Sequence, residues 1–267
     1  LRAAALDLLG RQPLPSRRRA LHVTTHLRVM SYNVHGCFGV DGRISPRRIA
    51  RVIAQQSPDL VALQEIDEGR VRSRSERQSA MIAELLGYHV IFCPTVIRGE
   101  EHYGHAILSR LPIETVKIAQ LPQHPGGLWP EARGALLSRI RFGDLPVNIV
   151  TTHLGLSSRE RLAQVEALLG PDWLGPVLET EPVIVCGDFN FAPRSLPFRR
   201  MTARLRHVVQ AGTRRIYTFS SARPFIQLDH IFASRHFHPE RVIAVRNDLT
   251  RVASDHLPLV ADLTWRS

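Results

Sequence analysis

At 267 residues the chain fits one large domain or two small ones, and its 44% hydrophobic content suits a soluble globular fold. Thirty-five basic against 24 acidic residues give a formal net charge of +11, which favours an anionic partner such as nucleic acid or an acidic lipid surface. No apolar run approaches the roughly 20 residues that span a bilayer, and three cysteines are too few for a disulfide framework.

The sequence opens on Leu1, as a trimmed chain, a non-standard start or a domain of a longer polypeptide would. No cleavable signal is expected in its first residues. Residues 1–26 read as a short helix and a Pro- and Arg-rich basic arm or linker, suited to touching a membrane or nucleic acid; residues 27–267 read as one domain. The first 27 residues carry +4 and the remainder +7, although Lys117 is the only lysine and an arginine bias can come from coding composition alone. Cys37, Cys93 and Cys186 lie far apart and read as reduced thiols in a cytoplasm-like compartment.

From Leu27 to Asn33 the pattern is a strand, and Ser45-Pro46 caps a helix that runs through about Gln56. Asp59 to Gln64 reads as a buried strand, Glu76 to Leu86 as a helix and Tyr88 to Cys93 as a further strand. Short strands follow at His105–Ser109, Ile113–Ile118, Ala135–Ile140 and Val147–Thr152, and a helix opens near Ser158. Val183–Cys186 is an apolar strand that Gly187 releases into a loop; a short helical patch covers Leu196–Leu205. Strands close the chain at Leu228–Phe232, Arg241–Val245 and Leu259–Leu263. Many strands neighbour strands without strict βαβ alternation, so two mainly antiparallel sheets flanked by helices are expected.

Six of these strands end in polar residues. Asn33 and His35 share a face if the first strand stays extended, as Asp188 and Asn190 do after Val183–Cys186. A carboxylate that takes a proton beside an amide that donates hydrogen bonds suits attack by water on phosphorus; an Asx turn is the ordinary alternative. Leu60–Gln64 ends in Glu65, and a carboxylate at the end of an apolar strand suits a divalent cation, although a solvated loop glutamate is commoner. Val147–Thr152 ends in His153, Asp229 follows Leu228, and Ser254-Asp255-His256 precedes the last strand. An aspartate elsewhere in the chain could orient His256 and stabilise its protonated form.

In this order, Asn33, Gln64-Glu65, Thr152-His153-Leu154, Gly187-Asp188-Phe189-Asn190, Leu228-Asp229 and Ser254-Asp255-His256, the sequence resembles the endonuclease/exonuclease/phosphatase superfamily from about Arg28 to Leu263. The superfamily includes pancreatic-type deoxyribonucleases, abasic-site endonucleases, neutral sphingomyelinases and inositol-polyphosphate 5-phosphatases. The resemblance implies an α/β fold, a four-layer α/β/β/α sandwich, and a phosphoester hydrolase using Mg²⁺ or Mn²⁺. It implies Glu65, Asn33 and Asp255 as metal residues and Asp188, Asn190, His153, Asp229 and His256 as catalytic ones. Arg133 matches a position near substrate. Two departures stand out: His35 replaces an aspartate of the abasic-site enzymes, and His105 replaces the asparagine of the bacterial Gly-Asn-Ala pattern. Both are expected to face substrate. A nuclease-like phosphodiesterase, a phospholipid or small-molecule phosphodiesterase, and a non-catalytic binding module remain the competing readings.

The remaining histidines and glycines carry less. His22-Val-Thr-Thr-His26 has zinc-helix spacing but no catalytic glutamate, and Gly36, Gly39 and Gly42 lack the Gly-Lys-Ser/Thr of a phosphate loop. Trp129, Trp173 and Trp265 are scattered and form no stacking platform.

Overall fold

The computed structural model describes residues 26–123, 131–143, 145–209 and 215–265. The arm expected over residues 1–26 lies outside them, apart from His26. In chain order the elements are β1 (His26–Asn33), α1 (Pro46–Gln56), β2 (Leu60–Glu68), α2 (Gln78–Leu86), β3 (His89–Arg98), β4 (Glu101–Ser109), β5 (Ile113–Gln120), β6 (Gly134–Phe142) and β7 (Leu145–His153). After them come α3 (Ser158–Leu169), β8 (Val183–Asp188), α4 (Leu196–Thr202), β9 (Arg206–His207), β10 (Asp229–Ala233), β11 (Phe237–Ala244), α5 (Asp248–Ala253) and β12 (Leu259–Trp265).

Two six-stranded sheets result, in the orders β11-β12-β1-β2-β4-β3 and β5-β6-β7-β8-β10-β9. Each holds one parallel pair among antiparallel neighbours: β1 with β2, and β7 with β8. The helix between the strands of each pair supplies the crossover that parallel pairing demands, α1 in one sheet and α3 in the other. Ser45 starts α1 by accepting from Arg48 N, with Pro46 in the first turn, and Ser157 caps α3 through Glu160 N.

Alternation along the strands builds three apolar layers. Leu27, Val29, Leu60 and Ala62 meet Ile149, Ile184, Cys186 and Ile231 between the sheets. On the outer face of the first sheet, Met30, Tyr32, Val61 and Leu63 pack under Ile49, Ile53 and Ile82 of α1 and α2. Val150, Val183, Val185 and Phe232 cover the second sheet's outer face with Val165, Leu168 and Met201 of α3 and α4. Removing such a side chain down to Ala commonly costs about 2–5 kcal/mol. The four-layer sandwich is therefore the observed fold.

Most elements run a few residues longer than the sequence pattern implies. β3 and β4 extend to a two-residue turn at Gly99-Glu100, where Gly99 takes φ +58°. Helix α5 was not expected: Asn247 accepts from Thr250 N at 2.9 Å and Thr250 Oγ1 accepts from Asn247 N at 2.9 Å, a reciprocal cap without the usual Glu or Gln. Cys37, Cys93 and Cys186 are free and buried, and burial pushes all three thiols up. Among the described residues no helix is long and apolar enough to cross a membrane.

Candidate active site at the common end of the two sheets

β1, β2, β7 and β8 deliver their C-terminal residues Asn33, Gln64-Glu65, His153 and Asp188 to one end of the sandwich, where parallel strands commonly present ligand sites. Parallel register sets Thr152 beside Gly187 and His153 beside Asp188. Antiparallel register sets Asp229 of β10 opposite Asp188. The Ser254–His256 loop joins them because Ser254 Oγ donates to Asn33 O at 2.8 Å.

Glu65 reaches this site through a break in the strand. Leu63 and Ile66 both face the outer layer, although strict alternation would turn one of them inward. A bulge between them absorbs the extra residue, with Glu65 at φ +59°. Gln64 keeps the inner face, where its Nε2 donates to Thr151 Oγ1 at 3.1 Å and ties the two sheets together. Glu65 is thereby aimed at Asn33, whose Nδ2 donates to Glu65 Oε1 at 2.8 Å and to Asp188 Oδ2 at 3.0 Å.

Asp188 is buried and fixed at both oxygens, Oδ2 by Asn33 and Oδ1 by Asn190 N at 2.9 Å. The chain does not stay extended here. Asn190 turns at φ +51° in an Asx-type bend, and its Nδ2 donates to Leu154 O at 2.9 Å. Its carbonyl oxygen, rather than its amide nitrogen, is left for other partners. His35 departs from the extended expectation too: β1 ends at Asn33, and His35 sits at φ +50° with its N–H donated to Asn33 Oδ1 at 3.0 Å. The turn nevertheless brings His35 Nδ1 to 3.8 Å from Asp255 Oδ1.

Two imidazoles flank Asp188. His256 Nε2 lies 3.6 Å and His153 Nε2 3.7 Å from Asp188 Oδ2. His256 Nδ1 stands 2.8 Å from Asp229 Oδ2, which leaves Nε2 for the site. Burial pulls the His256 pKa down, but Asp229 and Asp188 outweigh it and raise it to about 10. His153 goes the other way: burial, reinforced by Arg133 and His105, holds it well below the usual imidazole range. Its Nδ1 is buried with no hydrogen-bond partner, 4.0 Å from Glu65 Oε1. One chain thus holds a charged and a neutral histidine against the same carboxylate.

The remaining expected residues frame this centre. Arg133, 7% exposed, pairs with Glu131 at 2.8 Å and adds positive charge near His153. His105 is a correction: it is 2% exposed, wedged between the sheets with Nε2 donating to Gly134 O at 3.2 Å, and its ring stands 6.5 Å from that of His153. It lies beneath the pocket because β4 alternation sends it into the inter-sheet layer. Burial lowers its pKa to about 4. His230 faces the opposite side of β10, where its Nε2 donates to Phe191 O at 2.8 Å.

Sequence reading missed Thr218 and Phe219. Thr218 Oγ1 accepts from Leu228 N and Asp229 N, both at 3.2 Å, and the Phe219 ring packs 5.0 Å from that of His256. Alternation in Ile216-Tyr-Thr-Phe was the available signal.

Two clusters could hold a metal. Ligand atoms of Asp188, Asp229 and His256 lie within 4.8 Å of one another, but there an imidazolium already balances the carboxylates. Glu65 has no imidazolium bonded to it. Its side chain is one-fifth exposed, and burial raises its carboxyl pKa, opposed by the Asn33 amide and by His35 and increased by Asp188 and Asp255. Oxygen donors whose negative charge is only partly offset fit a hard divalent cation.

The sequence profile of the Endonuclease/Exonuclease/phosphatase family matches residues 30–256. The chain belongs to this family. It is 26% identical over 255 residues to the uncharacterized protein YbhP of Escherichia coli K12, covering 88% of this chain and 95% of that one. An endonuclease/exonuclease/phosphatase from Beutenbergia cavernae superposes with a TM-score of 0.68 at 24% identity, over 90% of this chain and 72% of the other. The catalytic domain of human Nocturnin, solved with bound sulfate, gives 0.68 at 22% identity over 91% and 95%. The family consists of phosphoester hydrolases, and its enzymes typically use divalent metals.

Proposed function

We propose that this family member is a divalent-metal-dependent phosphodiesterase of nuclease type, hydrolysing its substrate by in-line attack of water on phosphorus. The observation that carries the reading is Asp188 Oδ2, with Asn33 Nδ2 at 3.0 Å and the Nε2 atoms of His256 and His153 at 3.6 and 3.7 Å. Burial raises the Asp188 carboxyl pKa, moving it toward the range of an effective general base near neutral pH.

Asp188 takes a proton from the attacking water as the new oxygen–phosphorus bond forms. The opposite ester bond breaks, and its oxygen leaves with a proton supplied by the His256 imidazolium. Asp229 holds that imidazolium in orientation, and neutral His153 donates a hydrogen bond to a phosphoryl oxygen. Asn190 positions the water through its side-chain oxygen, while Arg133 and His35 add positive or donor character at the rim. Glu65, Asn33 and Asp255 would hold Mg²⁺ or Mn²⁺, which when bound neutralises phosphate charge and stabilises the leaving oxyanion. His105 supports His153 from below.

A phospholipid diester is the second reading. Phe38 (41% exposed) has its ring 6.0 Å from that of His35; Phe225 (64% exposed) meets Phe219 edge-on at 5.9 Å, and Phe219 adjoins His256. The basic arm of residues 1–26 would support membrane contact, and three buried free thiols suit a reducing, cytoplasm-like compartment.

Purified protein assayed with Mg²⁺, Mn²⁺ or EDTA on plasmid DNA, RNA, phospholipid vesicles, bis-p-nitrophenyl phosphate and p-nitrophenyl phosphate tests these readings. Metal-dependent cleavage of the diester but not the monoester is expected. Cleavage of the monoester alone would replace the reading with a phosphatase, and no turnover with any metal would end it.

A further inference from the structure

A cavity of about 700 Å³ opens beside α1. Five arginines line it: Arg43, Arg47, Arg48, Arg51 and Arg74. Among the described residues Asp41 is the one acid bonded to any of them, and it is taken by Arg48 at 2.7 Å. Arg43, Arg47, Arg51 and Arg74 are exposed, and no side-chain ion pair holds them among the described residues.

Local folding does not call for this charge. Arg47 and Arg51 stand at i and i+4 on α1, where like charges repel. Arg47 and Arg48 lie in its first turn, where the helix dipole favours anions, and that turn contains no acid. A bound polyanion would relieve both conflicts.

The cavity adjoins a second one that reaches the edge of the catalytic region. Ile44 lines both this cavity and a smaller one of about 270 Å³ shared by Phe38, Arg72 and His35. A chain of phosphates leaving the catalytic centre past His35 would meet these arginines. Guanidinium forks suit phosphate oxygens, and Phe38 offers an exposed ring along the track.

We infer that the arginine-lined cavity beside α1 is a second substrate site that holds the phosphate backbone of a nucleic acid strand running on from the catalytic centre. This rests on the phosphodiesterase reading above and narrows its substrate. Arginine side chains arrayed beside the run of cavity toward His35 favour a strand that continues from the catalytic centre over a membrane surface.

The test measures anisotropy of a fluorescein-labelled 20-mer oligonucleotide, single-stranded and duplex, with the full chain in EDTA so that no cleavage intervenes. Wild type should bind at low salt with an affinity that falls steeply as salt rises. Arg47→Glu/Arg51→Glu should weaken binding at least about tenfold and flatten the log–log salt slope by about 2, since each lost phosphate contact removes about 0.9. Arg43→Ala/Arg74→Ala, away from the helix, should act in the same direction if the first pair disturbs folding. Arg141→Glu/Arg241→Glu carries the same charge change near the end of β6 and in the middle of β11, outside the cavity lining, and should cost much less. Equal losses in the control pair, an unchanged slope in both cavity variants, or no wild-type binding at low salt would overturn the inference. So would cavity variants that lose binding to phosphatidylglycerol vesicles while keeping the oligonucleotide. Hydrolysis of bis-p-nitrophenyl phosphate by wild type with Mg²⁺, run in parallel, tests the catalytic reading separately.

Discussion

Gly187 of β8 lies so close to Thr152 of β7 that a Cβ at 187 would stand 2.0 Å from the Thr152 carbonyl oxygen and 3.2 Å from its nitrogen. Both atoms are backbone in a central parallel pair, so the neighbour cannot swing aside. The same contact sets the register that places His153 beside Asp188 one residue later. Gly187→Ala should therefore cost about 3 kcal/mol through overpacking and also lower turnover by separating the two side chains. Urea unfolding and a diester assay check both effects. An unchanged midpoint would show that the strands part without penalty.

Glu65 links stability to metal. Its folded pKa lies above the unfolded value of about 4.3, so the carboxyl contributes stability at low pH and loses it as pH rises through the folded value. At pH 7 in EDTA, Glu65→Gln should melt at a higher temperature than wild type, because it removes a poorly solvated charge. Mg²⁺ should raise the wild-type melting temperature and shift the variant much less, with turnover down ten- to roughly a hundredfold. Equal Mg²⁺ shifts in both proteins would remove Glu65 from the metal site.

How far the sequence carries can be traced residue by residue. Asn33, His153, Asp188 and Asp229 were legible because each ends or begins an apolar run, and strand ends converge when strands pair. Glu65 was legible as a residue but not as a direction. Alternation sends it outward, and only the bulge at φ +59° returns it to Asn33. Strand spacing places Asn190 on an extended face, yet Asp188 Oδ1 captures its N–H and bends the chain. The depth of His105 depends on Gly134 in the opposite sheet, 29 positions away, which no local pattern encodes. Thr218 sits in a short alternating run with no chemical motif and acts through two backbone N–H groups.

Thr218 should behave as a positioning residue for Asp229. Thr218→Val keeps the shape but leaves the half-buried Leu228 and buried Asp229 N–H groups without their acceptor, at a cost of about 2 kcal/mol. Turnover should fall, and the alkaline limb of the rate profile should move in the same direction as for Asp229→Asn, by a smaller amount. Thr218→Ser should restore both. A stability loss with an unmoved pH profile would reduce Thr218 to a scaffold role.

The pair His256 and Asp229 gives the sharpest test of the chemistry. The His256 pKa, about 10 in the fold against about 6.5 unfolded, lies high because Asp229 and Asp188 outweigh burial. A raised imidazole contributes stability that is fully present below about pH 6.5 and is lost as pH rises through about 10. Wild type should therefore lose stability across that alkaline window, and Asp229→Asn should show less loss there. With the protonated form donating to the leaving oxygen, the alkaline limb of the rate profile follows His256. Asp229→Asn keeps the hydrogen-bonding shape but removes the charge, so that limb should shift to lower pH and maximal turnover should fall. His256→Ala should abolish most activity, and adding Asp229→Asn should cost little more, because residues that act as a unit are non-additive. Activities of the two single variants and the double variant decide the matter. If the losses multiply fully, Asp229 and His256 act independently and His256 is not the acid that Asp229 supports.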